Sequence, residues 1–330
     1  MKKAIYIFSS GMLKRKDNTI FFENEEGIKY IPVESTSEIY VFGEVDLNKR
    51  FIEFLTQNEI LLHFFNHYDY YVGTFYPREY MNSGFLILKQ AEHYLDMDKR
   101  MYLAKEFVYG AYRNICQILK YYINRGKDLR ETEGKINNLS EKIGSCKDVN
   151  ELMAIEGNIR ETYYQAFDEI IDNPDFQFQK RTKRPPKNNL NALISFGNSL
   201  LYTVILGEVY RTHLDPRIGY LHATNFRRFT LNLDLSEIFK PIIVDRVIFT
   251  LLGRNMIKEE DFESSTQGLI LKENAKKQFV QEMENKLQTT FNHRNLGKNV
   301  SYRRLIRLEL YKLEKHLIGE ENYKAFVAKW

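Results

Sequence analysis

The chain has 330 residues, 43% apolar and 28% charged, an ordinary globular balance with enough length for a sizeable core and two domains. Forty-eight basic residues nearly match forty-four acidic ones for a formal net charge of +4, so any polyanion-binding surface has to come from local clustering. Cys116 and Cys146 form no CxxC motif and read as reduced thiols, and no window approaches the roughly 18 apolar residues of a membrane helix, so a soluble, cytoplasmic protein is expected.

The opening "MKKAIYIFSSGMLKRKDNTI" has too short an apolar run for a signal peptide. The runs "AIYIF", "TIFFE", "KYIPVE" and "EIYVFG" are β-branched or aromatic and are separated by "GMLKRKDN", "NEEG" and "STS", which predicts strands. In "NKRFIEFLTQNEI" the apolar residues at 51, 52, 54, 55 and 60 suit one amphipathic helix. Strand character returns in "ILLHFFN" and "YYVGTFYP". A small β-rich domain over residues 1–80 follows from this pattern.

From about residue 84 the period changes. "FLILKQAEHYLDMDKRMYLAKEFVYGAYRNICQILKYYI" places apolar residues at helical spacing without a proline. Residues 135–147 are polar and predict a short helix followed by a loop. "DVNELMAIEGNIRETYYQAFDEII" is helical with Asp148 as its N-cap, and "QFQKRTKRPPKNN" is a basic, proline-containing loop. "LNALISFGNSLLYTVILGEVYRTHL" fits the centre of a helical bundle, and the remainder predicts further helices to about residue 326. The expected class is α+β, a small β-rich N-terminal domain followed by a larger all-α domain over residues 84–330.

Segment 230–240 admits two readings. Leu231, Leu233 and Leu235 alternate as in a strand, which would place Asp234 and Glu237 on opposite faces. Leu231, Leu235, Ile238 and Ile242 also line up at helical spacing, which brings the two carboxylates together at i and i+3. The helix is preferred, with Pro241 kinking it or lying in its interior at some cost. Asp234 and Glu237 would then form half of a site for a hard cation, with His222 supplying an imidazole from the preceding loop. The same carboxylates also read as a solvated helix face or as salt-bridge partners of Arg227, Arg228 or Lys240.

Three segments, in order, carry a family resemblance. "MAIEGNIRETYY" holds a Glu-Gly-x-x-Arg arrangement with a following tyrosine. "NALISFGNSLLYTVILGEVYRTHLDPRIGYLH" joins an apolar helix to a Leu-Asp-Pro…Gly-x-Leu-His turn, and "LDLSEIFKPIIVDR" bears the acidic pair. Together with the opening "YIFSSGMLKRKDNTIFFE", they resemble the CRISPR-associated adaptation integrase, the universal spacer-acquisition nuclease often called Cas-one. The resemblance spans nearly the whole chain. It implies a catalytic helical domain with metal ligands at Glu156, His222 and Glu237 and a further acidic position at Asp234. It also implies Mg²⁺ or Mn²⁺ as cofactor, DNA as substrate, a homodimer, and a small second adaptation protein, Cas-two. The implied activity is a metal-dependent endonuclease and integrase that inserts short foreign DNA into a CRISPR repeat array by 3′-hydroxyl attack. A structure-specific nuclease for branched DNA and a non-catalytic nucleic-acid scaffold are the rival readings.

Other motifs carry less. "KRTKRPPK" offers Lys180, Arg181, Lys183, Arg184 and Lys187 without an acid, either a solvated loop or phosphate contacts. Of Arg227 and Arg228, between His222 and Asp234, at least one is expected to reach a phosphate or to pair with a ligand carboxylate. "KNVSYRRLIR" presents Lys298, Arg303, Arg304 and Arg307 to DNA or to solvent. His63 and His67 have an i, i+4 spacing, but in a strand-and-turn segment with no accompanying glutamate, so packing is preferred to zinc. His213 is expected to pack at the end of the central helix, and His293 to lie in a loop or at a helix end. No GxGxxG or phosphate-cradling loop occurs.

Overall fold

The computed structural model describes residues 2–329 apart from 79, 80, 82, 184, 225–228, 266, 267, 294 and 295. The chain divides into two compact units, residues 1–81 and 82–330. The architecture is α+β, strand-rich first and helical after, as the change of period predicts.

The first unit is built from two four-stranded sheets. β1 (Lys3–Ile7), β5 (Thr36–Val41), β7 (Leu61–Phe65) and β8 (Tyr71–Phe75) lie side by side in that order, parallel except for the last pair. β2 (Gly11–Lys16), β3 (Thr19–Asn24), β4 (Gly27–Pro32) and β6 (Val45–Leu47) form the other, in the order β4-β3-β2-β6. Between β6 and β7 runs α1 (Lys49–Gln57), whose N-cap Asn48 accepts from the Phe51 N–H. Alternation sends Leu13, Ile20, Ile39 and Leu62 inward, where they meet Phe51 and Leu55 of α1 in one fully buried core.

The second unit packs helices around one apolar axis. α2 (Gly84–Leu95) and α3 (Met97–Ile123) break at Asp96, whose side chain caps α3 by accepting from the Asp98 and Lys99 N–H groups. α4 (Arg130–Ser140) starts and ends earlier than the polar run 135–147 suggests. α5 (Val149–Ile171) starts at its expected cap, Asp148. α6 (Asn189–Val209) is long and apolar enough to cross a membrane by composition, yet it is the buried central helix of this unit. α7 (Thr230–Phe239) runs into one π-helical turn, Pro241–Asp245, and on into α8 (Arg246–Gly253).

The remainder departs from the expected run of helices. β9 (Phe262–Ser265) and β10 (Gly268–Leu271) make one antiparallel hairpin, α9 (Glu273–Gln288) follows, and β11 (Thr290–His293) with β12 (Lys298–Ser301) makes another. Gly268 and Gly297 take positive φ values of 96° and 60°, the conformation that a tight reversal asks for and that glycine supplies. His293 thus ends a strand rather than lying in a loop or at a helix end. α10 (Tyr302–Leu317) is the last helix among the described residues. After it the chain runs without regular structure, because side chains compete for its backbone: Tyr102 donates to the Tyr323 carbonyl at 2.8 Å, and Asn114 accepts from the Ala328 N–H at 2.8 Å.

Candidate active site

The site grows out of Pro241. Proline has no N–H to give the carbonyl four residues back, which belongs to Glu237. The α7 ladder therefore widens into the π turn, closed by the Asp245 N–H donating to the Lys240 carbonyl at 3.0 Å. Side chains from other helices attend the loosened carbonyls. Arg160 of α5 brings Nη2 to 3.4 Å from the Glu237 carbonyl, and buried Asn114 of α3 donates to that of Ile238 at 3.0 Å. The strand reading of 230–240 is excluded, and Asp234 and Glu237 share one helix as the helical spacing predicts.

Asp234 is fully buried and organises the preceding turn. Its Oδ2 accepts from the Tyr220 N–H at 2.5 Å and the Leu221 N–H at 3.0 Å; its Oδ1 accepts from the His222 N–H at 3.0 Å and from His222 Nδ1 at 2.8 Å. A carboxylate accepts, so Nδ1 carries the ring proton and the Nε2 lone pair of a neutral His222 is turned elsewhere. Burial works against charge on this imidazole, but the Asp234 bond outweighs it and raises the pKa. The turn comes this close because residue 219 is glycine. A Cβ there would lie 2.6 Å from the Thr230 carbonyl carbon and 2.8 Å from both Asp234 Oδ2 and the Leu231 nitrogen.

Glu237 is held by two cations. Its Oε1 accepts from Lys240 Nζ and its Oε2 from Arg160 Nη2, each at 2.5 Å. Burial alone would raise its carboxyl, but Lys240 and Arg160 prevail and keep it well below the usual range. Arg160 also reaches Glu156, one turn away on α5, with Nε 3.6 Å from Oε1. Glu156 is pushed up to about 7 by burial and by the neighbouring Glu237. Burial takes the carboxyl of fully buried Asp245 to about 7, against the pull of Arg160, Lys240 and the Tyr163 hydroxyl.

The fold thus brings Glu156, His222, Asp234 and Glu237 to one place from α5, the turn that holds His222, and α7. Two carboxylates and an imidazole are a suitable donor set for a hard or borderline divalent cation. Among the described residues, however, no three His, Cys, Asp or Glu side chains stand in a ligating cluster. Asp234 is spent on the turn and the imidazole, and Glu237 is turned to Lys240 and Arg160. The salt-bridge reading of these carboxylates therefore holds for Glu237 through Lys240, alongside the convergence of the predicted ligands.

The basic candidates separate. Lys180 is exposed. Arg181 is tied into the fold, donating to Asn191 Oδ1 at 2.9 Å and Ser195 Oγ at 3.1 Å. Lys183 is solvent-accessible yet crowded; partial burial first, then Lys240 and Arg181, lower its pKa, while Glu237 and Glu156 pull it up. It stands at the rim of the site. Arg184, Arg227 and Arg228 lie outside the described residues. Arg307 and Arg303 face protein rather than open solvent, at 2.6 Å from Glu208 and 2.8 Å from Glu284. His63 is buried in β7 against Thr74 and Tyr40, His67 is exposed in the next turn, and His213 pairs with Glu314 at the end of α6. Cys116 and Cys146 are free thiols.

Three residues of the site carry no assigned role in the sequence reading. Arg160 stands at i+4 from Glu156, a spacing that itself predicts an ion pair. Asp245 and Asn114 have no such signal, since their roles depend on a helix defect.

Comparison with known proteins is consistent along the whole chain. The family model described as CRISPR associated protein Cas1 matches residues 5–285. A curated relative from Thermodesulfovibrio yellowstonii, CRISPR-associated endonuclease Cas1 2, is 61% identical over 330 residues, covering 100% of both chains. The solved structure of a CAS1 protein from Thermotoga maritima is similar at 52% identity and a TM-score of 0.89, covering 98% of this chain and 100% of that one. Two more distant structures share the fold alone. A casposase bound to integration product aligns at 19% identity and a TM-score of 0.89, over 99% of this chain and 93% of its own. A Cas6-RT-Cas1–Cas2 complex aligns at 18% identity and a TM-score of 0.86, over 100% of this chain and 36% of its own.

Proposed function

The chain belongs to the CRISPR-associated protein Cas1 family, and from that premise we propose that it is a metal-dependent DNA endonuclease and integrase. In this reading the 3′-hydroxyl of a captured DNA fragment attacks a phosphodiester of a CRISPR repeat, forming a new phosphodiester while the old P–O bond breaks and the repeat strand leaves with a free 3′-hydroxyl. The observation that carries the reading is the pairing of Asp234 with His222 Nδ1, which orients the imidazole near Glu237, itself the neighbour of Glu156. Metal-ligating histidines are typically held this way, by a carboxylate on the other ring nitrogen.

Glu156, His222 and Glu237 are the proposed ligands of Mg²⁺ or Mn²⁺, and Asp234 is the residue that positions His222. A divalent cation held by these residues would supply Lewis-acid polarisation of the scissile phosphate and charge stabilisation for the leaving oxygen. The chain's own residues do the rest. Asp234 fixes the ring tautomer, Arg160 sets the distance between the two glutamates, and buried Asn114, with the main-chain N–H of Asp245, supports the widened helix that follows Glu237. Lys183 at the rim is the proposed contact to the phosphate next to the scissile one, and Lys180 lies farther along the same loop. Arg181 serves as the anchor of that loop.

The proposed assembly is a homodimer formed through the β-rich domain, residues 1–80, joined by the small partner Cas2 and by DNA. The name of the Cas6-RT-Cas1–Cas2 complex and that of the casposase bound to integration product support these partners by analogy of fold. The test is an integration assay on repeat DNA, with and without Cas2 and divalent metal. Strand transfer that needs metal and disappears in Glu156→Ala, with DNA affinity retained, is the expected result. Equal DNA binding in EDTA without any cutting in metal would favour a scaffold instead.

A further inference from the structure

Glu237 meets two cations of different kinds, and the difference decides which one yields. Arg160 comes from another helix, touches both the carboxylate and the main-chain carbonyl of Glu237, and also reaches Glu156. Its planar fork is fixed at three places. Lys240 comes from the same helical stretch as Glu237, three residues on, and makes one contact through a flexible stem. Its ammonium lies 5.2 Å from the centre of the Tyr202 ring, an aromatic face that can hold a cation once the carboxylate is given up. Both cations are at least nine-tenths buried. A divalent ion arriving at Glu237 would therefore meet their charge in a poorly solvated place.

Resting on the metal-site reading above, we propose that Lys240 is an internal competitor for the metal: its ammonium occupies Glu237 Oε1, and a divalent cation binds by displacing it toward Tyr202 while Arg160 stays. The arrangement keeps the glutamate pair neutralised before metal enters, where Glu156 and Glu237 would otherwise repel each other. It also sets metal affinity below what the donors alone would give. Lys240 is on this account a residue that acts through Glu237.

The experiment is calorimetric titration of the full chain with Mn²⁺, without DNA. Lys240→Met removes the competitor and should tighten Mn²⁺ binding by roughly tenfold, given the strength of like-charge repulsion at short range in a buried site. Lys240→Arg keeps the charge and adds a fork that retracts less easily, so it should bind Mn²⁺ no more tightly than the wild type. A residue needed only for folding would weaken binding in both. Lys240→Gln serves if Lys240→Met does not fold, and tighter binding is expected of it too. Wild-type affinity or weaker in the folded neutral variant overturns the proposal. Glu156→Gln tests the underlying site separately: it should lose Mn²⁺ binding. A wild-type chain that takes up no Mn²⁺, or a Glu156→Gln chain that binds it normally, overturns the site reading and this proposal together.

Discussion

Arg160 holds Glu237 at two points, with Nη2 2.5 Å from the carboxylate and 3.4 Å from the same residue's main-chain carbonyl. The second contact traces to Pro241, which leaves that carbonyl without its helical donor and turns α7 through a π turn. A backbone defect thus places the acidic residue, and a buried guanidinium fixes it in place. Breaking the helix locally is what makes the site.

Asp234 and His222 should separate stability from chemistry. Asp234→Asn keeps one acceptor oxygen for four donors and turns an amide N–H₂ toward the rest, at a cost of about 1–3 kcal/mol. His222→Ala keeps the three main-chain donations to Asp234 and should cost less. In thermal unfolding Asp234→Asn is expected to melt below His222→Ala, while both lose metal-dependent cleavage. The reverse order of melting would show that the carboxylate does not hold the turn.

Gly219→Ala should be damaging although it lies outside the proposed ligand set. Two of the three atoms that its Cβ would meet, at 2.6 and 2.8 Å, belong to the backbone of Thr230 and Leu231 and cannot swing away. Overpacking of this kind costs about 1–3 kcal/mol. It should also lengthen the bonds from Tyr220 and Leu221 to Asp234, so metal affinity falls together with the melting temperature. An unchanged melting temperature would contradict the close approach.

Arginines and lysines that look alike in sequence should differ in a salt series. Arg307 is paired with Glu208, which is almost fully buried, and Arg307→Ala should lower stability by up to about 3 kcal/mol, moderated by nearby Arg211 and Arg303. It should leave the salt dependence of DNA binding unchanged. Lys183→Ala should do the opposite, with little effect on stability and a salt slope reduced by about one. A slope change in Arg307→Ala alone would reassign the DNA contact to α10.

The helical half of the fold was legible because period is a local property of sequence, whereas Glu156, His222, Asp234 and Glu237 were linked as one set only through the family resemblance. Leu231, Leu235, Ile238 and Ile242 mark the helix by their spacing, but α7 and its π turn are buried on nearly every side, Asp234 and Glu237 included. The hairpins over 262–271 and 290–301 were missed because strands of four residues are too short to establish a period of two. The division of labour at the site was hidden for another reason. Whether an arginine meets solvent, DNA or a buried carboxylate depends on partners such as Glu208, 99 residues from Arg307 in the chain. Arg181, within an acid-free basic run, is likewise tied by Asn191 and Ser195 of the following helix.

The last prediction concerns pH. Glu156 and Asp245 both have carboxyls raised to about 7, in each case first by burial. A carboxyl raised in the folded state binds its proton more tightly there than in the unfolded chain. Its contribution to stability is complete below the unfolded pKa, near 4, and disappears as pH rises through about 7. The metal-free protein should therefore melt at lower temperature at pH 8 than at pH 6, with each lost kcal/mol worth roughly 2–4 °C in a protein of this size. Glu156→Gln should flatten part of that decline, and Asp245→Asn another part. Added Mn²⁺ should act in the opposite direction, because its ligands must be deprotonated and binding releases the Glu156 proton. The metal-induced rise in melting temperature should then be larger at pH 8 than at pH 6. A metal-free melting temperature that is flat across this range, with a metal effect independent of pH, would mean that Glu156 is already ionised in the folded protein.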